Sequence, residues 1–134
     1  MIDVVYKEEL GIIISECTGV FNLELVIDYI DNLRNTIKTE DHLFILLDST
    51  RAEIKIDPRK ELRCLVSKLG EKTKIYRQVY VVFVVDKPYE TVLALLFKEM
   101  SNSAHRIDID IFSTRHEAER RLINVRENVI RTNK

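Results

Sequence analysis

Two apolar runs without polar alternation constrain this chain more than any other feature: LFILL at residues 43–47 and QVYVVFVV at 78–85. A strand with one wet face alternates, because successive side chains point to opposite sides. Strands without alternation are buried on both faces, as at the centre of a parallel sheet covered by helices. Parallel neighbours also need a crossover of a dozen or more residues, usually a helix. The segments between the runs should therefore be helical.

Their patterning agrees. In FNLELVIDYIDNLRNTIK, Leu23, Val26, Ile27, Ile30, Leu33 and Ile37 recur at helical spacing behind Asn22, a suitable N-cap. A second helix is expected from Asp57–Pro58, where Asp caps free N–H groups and Pro suits the first helical position. Leu62, Leu65, Val66 and Leu69 give its stripe, and Gly70 stands where a left-handed C-terminal cap is wanted. DKPYETVLALLFKEMSN predicts a third helix with Val92, Leu93, Leu96, Phe97 and Met100 inward. A Thr114/Glu117 capping box opens the last helix, with Ala118, Leu122, Val125 and Val129 as its stripe.

The ends of the chain supply the remaining strands. IDVVYKEELGIIISECTG reads as two short strands around a turn at Gly11. RIDIDIF alternates Ile107, Ile109 and Ile111 with Asp108 and Asp110, the pattern of an edge strand protected by charge from pairing with another sheet. The order is ββαβαβαβα. Right-handed crossovers and an antiparallel opening hairpin make this an α/β fold, a mixed five-stranded sheet with four α-helices. One domain is expected over residues 1–134, with a core at about 2–123 and a C-terminal helical extension at 124–134. Val125, Val129 and Ile130 would be exposed if that extension ran past the domain.

Charge removes several functional classes. With 21 basic and 22 acidic residues the chain has no one-sided basic surface, so neither nucleic acid nor an anionic membrane is expected as a partner. Arg115, Arg120, Arg121, Arg126, Arg131 and Lys134 interleave with Glu117, Glu119 and Glu127 as a solvated helix face. The longest apolar run, Val79–Val85, is seven residues, against the roughly 20 of a membrane-spanning helix. Cys17 and Cys64 lack CxxC spacing, and MIDVVYKEE carries no signal-peptide pattern. Reduced thiols in a cytoplasm are expected.

Asp48–Ser49–Thr50, directly after LFILL, looks most like chemistry. Open α/β sheets place their sites beyond the strand carboxyl ends. A receiver domain would put its phosphoacceptor there, but needs an acidic pair after the first strand and a Lys after the last. Tyr6–Lys7–Glu8–Glu9 and Phe112–Ser113–Thr114 supply neither. Asp108–Ile109–Asp110 resembles the DxD of haloacid-dehalogenase phosphatases, yet it stands near the chain end instead of on the first strand. Ser49 lacks a GxSxG elbow. His42, His105 and His116 have no metal-pair spacing and are expected at surface positions. Asp48–Ser49–Thr50 is then the polar end of a buried strand, and neither metal nor cofactor is expected. Asp57–Pro58–Arg59–Lys60 could hold an anion at a helix N-terminus. VLALLF, at 92–97, is apolar nearly all round, more than one buried stripe requires, which suggests a ligand pocket or an oligomer contact.

The element order, together with FILLDST, QVYVVFVVD and the ending IDIFSTRHEAERRL, resembles the STAS superfamily, in particular its SpoIIAA-like branch. The resemblance spans Ile2 to about Ile123. It implies a regulatory fold. Anti-sigma-factor antagonists of the superfamily carry a phosphorylatable Ser in an Asp-Ser-Ser-Gly motif at the start of the second helix, and an anti-sigma-factor kinase is their partner. Asp57 matches the Asp of that motif, but Pro58 stands where the Ser should be. The fold also resembles CRAL-TRIO lipid-binding domains. Two expectations result. One is a non-catalytic module acting by protein–protein contact through Asp48, Ser49, Thr50, Asp57, Arg59 and Lys60, with a second copy of the chain among the partners. The other is a carrier of a small apolar or lipid-like ligand lined by Leu93, Leu96, Phe97 and Met100.

Overall fold

A computed structural model describes residues 1–7, 12–36, 41–101 and 106–132. Their elements are β1 (Ile2–Lys7), β2 (Ile12–Asn22), α1 (Leu23–Thr36), β3 (His42–Lys55), α2 (Leu62–Lys72), β4 (Gln78–Val84), α3 (Pro88–Ser101), β5 (Ile107–Phe112) and α4 (Arg115–Thr132). The strands form one sheet in chain order, β1-β2-β3-β4-β5. β1 pairs antiparallel with β2, and the remaining neighbours pair parallel. The expected mixed sheet and element order are those of the structure. β5 lies at an edge, as its alternation required. The Gly11 turn, Ile37 and His105 lie outside the described residues.

Three parallel crossovers step in the same direction across the sheet, so right-handedness puts α1, α2 and α3 on one face. Their cluster includes Val26, Ile30, Leu65, Leu69 and Phe97, packed on Ile13, Leu43, Ile45, Val79, Val81 and Ile109. Among the described residues the other face is left to α4. Ala118 and Leu122 pack there on Ile12, Ile14, Phe44, Leu46, Val82 and Val84. Val125 and Val129 pack against the same cluster, so the C-terminal turns lie on the sheet instead of running past it, and only Ile130 is exposed. His42, expected at the surface, instead opens β3 half-buried with its ring stacked on Phe44 and Tyr80.

Local chemistry sets the helix starts. The Leu25 N–H donates to Asn22 Oδ1 at 2.9 Å, the expected cap. The Glu117 N–H donates to Thr114 Oγ1 at 3.4 Å and the Thr114 hydroxyl to Glu117 Oε1 at 3.1 Å. α2 departs from expectation at both ends. It begins at Leu62, because the Asp57 carbonyl accepts from both the Glu61 and Leu62 N–H groups, and the second, five-residue bond interrupts an α-ladder. It continues through Gly70 to Lys72 without a left-handed glycine.

Candidate functional site

Asp48–Ser49–Thr50 is not a strand end. β3 runs on to Lys55, and these three residues form a bulge inside it. Glu16 pairs with Asp48 and Thr18 with Arg51, so β3 spends one more residue than β2 across this step. A one-residue insertion reverses which side chains face the core. Leu43, Ile45 and Leu47 face the three-helix side before the bulge, and Ala52, Ile54 and Ile56 do so after it. The Asp48 carboxylate holds the irregularity: its Oδ1 accepts from the Thr50 N–H at 3.0 Å and the Thr50 hydroxyl at 2.8 Å. Pairing with β4 stops at Asp48–Val84. Beyond it, β2 and β3 continue as a two-stranded arm, Thr18–Asn22 with Arg51–Lys55. Lys87, just before α3, donates to the Thr50 carbonyl at 2.9 Å and the Ala52 carbonyl at 3.4 Å, occupying acceptors at the point where β4 has ended.

The arm and the three-helix layer enclose a half-open apolar cavity of about 70 Å³. Phe21, Ile54 and Ile56 come from the arm and its exit, Tyr29 from α1, Leu62 and Leu65 from α2, and Leu93, Ala94 and Phe97 from α3. Its floor is Ile45, Leu47, Ser49 and Phe83, toward the carboxyl end of β4 and the point where β3 loses its pairing with β4, the side of the sheet where open α/β folds bind ligands. Phe83 and Phe97 meet edge to face at 5.6 Å. The Tyr29 hydroxyl is already bonded to Ser15 Oγ at 2.6 Å, and burial pushes its phenol well above the usual tyrosine range against the opposing pull of that bond.

The structure divides the expected site residues. Asp48 and Ser49 are buried, at 8% and 2% exposure, on opposite faces of β3, so they form no common surface. Thr50 is half-buried, whereas Asp57, Arg59 and Lys60 are exposed in the turn before α2. That turn is internally bonded: the Arg59 N–H donates to Asp57 Oδ1 at 2.9 Å and the Asp57 N–H to Glu61 Oε1 at 2.8 Å. These carboxylates occupy the place of an external anion.

Of the expected pocket residues, Leu93 and Phe97 line the cavity. Leu96 is 41% exposed and Val92 53%, both outward, and Met100 packs on the core without lining the cavity. α3 buries Glu90, Leu93, Ala94, Phe97 and Ser101. Ala94, Ser49 and the arm residues were missed as lining. The alternation in RAEIKI was the available signal for the arm. Lys87 gave none, since its carbonyl partners exist only after the bulge forms.

No family model matches this chain, and no curated protein does. A solved structure does match: an uncharacterized protein of the DUF3478 family from Shewanella loihica PV-4, described as having a SpoIIAA-like fold. The two superpose with a TM-score of 0.56 over 91% of this chain and 92% of that one, at 15% identity. The fold is SpoIIAA-like. At that identity the likeness extends to architecture alone. Among the described residues no helix is long and apolar enough to cross a membrane, and no three His, Cys, Asp or Glu residues converge as a metal site.

Proposed function

We propose that this SpoIIAA-like chain is a non-catalytic, cytoplasmic binding module whose cavity between helices and sheet takes a small apolar ligand. The cavity carries the reading, because a void lined by Leu, Ile, Val and Phe forfeits packing that a ligand restores. The non-catalytic part is supported by the use already made of the polar groups: Asp48 and Thr50 hold the bulge, and Asp57 and Glu61 hold the turn before α2. Two free cysteines support the compartment. Toluene titrated into methyl-labelled protein should move the methyl resonances of Leu65, Leu93 and Ile54. Unmoved spectra at toluene saturation would remove the reading.

A second reading, contact with a protein, is favoured by one observation. Tyr89, Val92, Leu95 and Leu96 leave an apolar stripe exposed along α3. The exposed charges of Asp57, Arg59 and Lys60 are also available for contact. A second copy is the partner open to direct test. Sedimentation equilibrium should show association that Leu95→Glu abolishes, and a monomer at every concentration rules out self-association.

A further inference from the structure

Ser49 is the polar side chain that the apolar cavity does not account for. It is 2% exposed, lines the cavity, and belongs to the face of Leu47 and Ile45. No hydrogen bond of its hydroxyl is present among the described residues. Its oxygen is not fully enclosed, as the unbonded Ser101 Oγ is, so it keeps a little access. Buried hydroxyls are nearly always bonded, so one facing a void calls for a group inside that void. The other polar lining group among the described residues, the Tyr29 hydroxyl, already has Ser15. Among the described residues no acidic or basic side chain lines the cavity. A carboxylate or ammonium there would be a buried charge without a counter-charge, which is prohibitively unfavourable.

We infer that the ligand is a small neutral molecule with an apolar body and one hydrogen-bonding oxygen, a phenol, alcohol or ketone, and that Ser49 is the residue that reads this oxygen. The inference rests on the cavity reading above and adds its specificity. Size points the same way. The cavity is about 70 Å³, roughly half that of an engineered 150 Å³ cavity that takes benzene. A single ring reaching into the half-open side fits, and a long acyl chain does not.

Phenol and toluene make a matched pair, since they differ by hydroxyl against methyl. Their affinities for the wild-type chain and Ser49→Ala, measured by methyl-resonance titration, separate the two levels of the argument. The expected result is that Ser49→Ala weakens phenol about tenfold, the effect of orphaning one buried hydroxyl, and leaves toluene unchanged or tighter. Retained toluene binding shows that the variant is folded with its cavity intact, and Ser49→Thr, which keeps the hydroxyl, should restore phenol. If phenol and toluene both bind but Ser49→Ala alters neither relative to the other, the role of Ser49 is wrong and the cavity reading stands. Binding of neither probe overturns both. Benzoate binding as tightly as phenol overturns the neutral-ligand assignment.

Discussion

Gly19 carries the single positive φ among the described residues, +80°, one step beyond the bulge in the arm that closes the cavity. A Cβ there would meet no atom within 4 Å, so the glycine is required by backbone conformation and not by space. Gly19→Ala should therefore destabilise the protein by about 1–2 kcal/mol, the left-handed penalty of an L-residue. Gly70→Ala should do the reverse. Gly70 sits inside α2 with nothing within 4 Å of a Cβ, and replacing a helix-interior glycine gains up to about 1 kcal/mol. Urea unfolding of both variants checks this, and shifts of the same sign would contradict it. The sequence pattern suggested a terminating role for Gly70 instead. A glycine after an apolar stripe looks like a cap, but here a distant residue satisfies the helix end: Arg106 donates to the carbonyls of Gly70 and Thr73 and to Thr73 Oγ1. Arg106 follows α2 by more than thirty positions, too far for local pattern to reveal.

β3 shows which parts of an element the chain spells out. LFILL is legible as doubly buried because its composition permits nothing else. RAEIKI is legible as a one-sided strand, with Ala52, Ile54 and Ile56 inward. Their fusion is not legible, since the two halves are out of phase and polar Asp48–Ser49–Thr50 between them reads as a stop. The phase change is the bulge itself. Its hold on the arm can be tested through Asp48. Asp48→Ala removes both bonds to Thr50 and should destabilise by about 1–2 kcal/mol, with loss of two partly buried hydrogen bonds. Asp48→Asn keeps the Oδ1 acceptor and should cost less than half as much. Amide exchange should accelerate in Arg51–Lys55, which beyond the bulge pair with β2 alone, more than in Leu43–Leu47, which pair on both sides. Uniform acceleration along β3 would mean that the bulge does not anchor the arm.

The whole molecule is asymmetric about its sheet, with three helices on one face and one on the other. Right-handed crossovers dictate the three-helix face once the strands are known to lie in chain order. The order of elements alone also permits a doubly wound sheet with helices on both faces. The cavity was not written in that order either. α3 is apolar nearly all round, so its pattern fits several rotations, and packing chose the one that turns Ala94 into the cavity lining and leaves Val92, Leu95 and Leu96 in solvent. A small side chain flanked by Leu93 and Phe97 leaves room where a leucine would fill it. Ala94→Leu adds three carbons at that point. Each buried carbon is worth about 0.8 kcal/mol, offset in part by strain from imperfect fit. The variant should unfold at an equal or higher urea midpoint and give no methyl response to toluene. A variant that is stable and still binds toluene would place the ligand elsewhere. One that is destabilised by several kcal/mol would mean that the cavity beside Ala94 is already filled in solution, because only a full site is overpacked by three carbons.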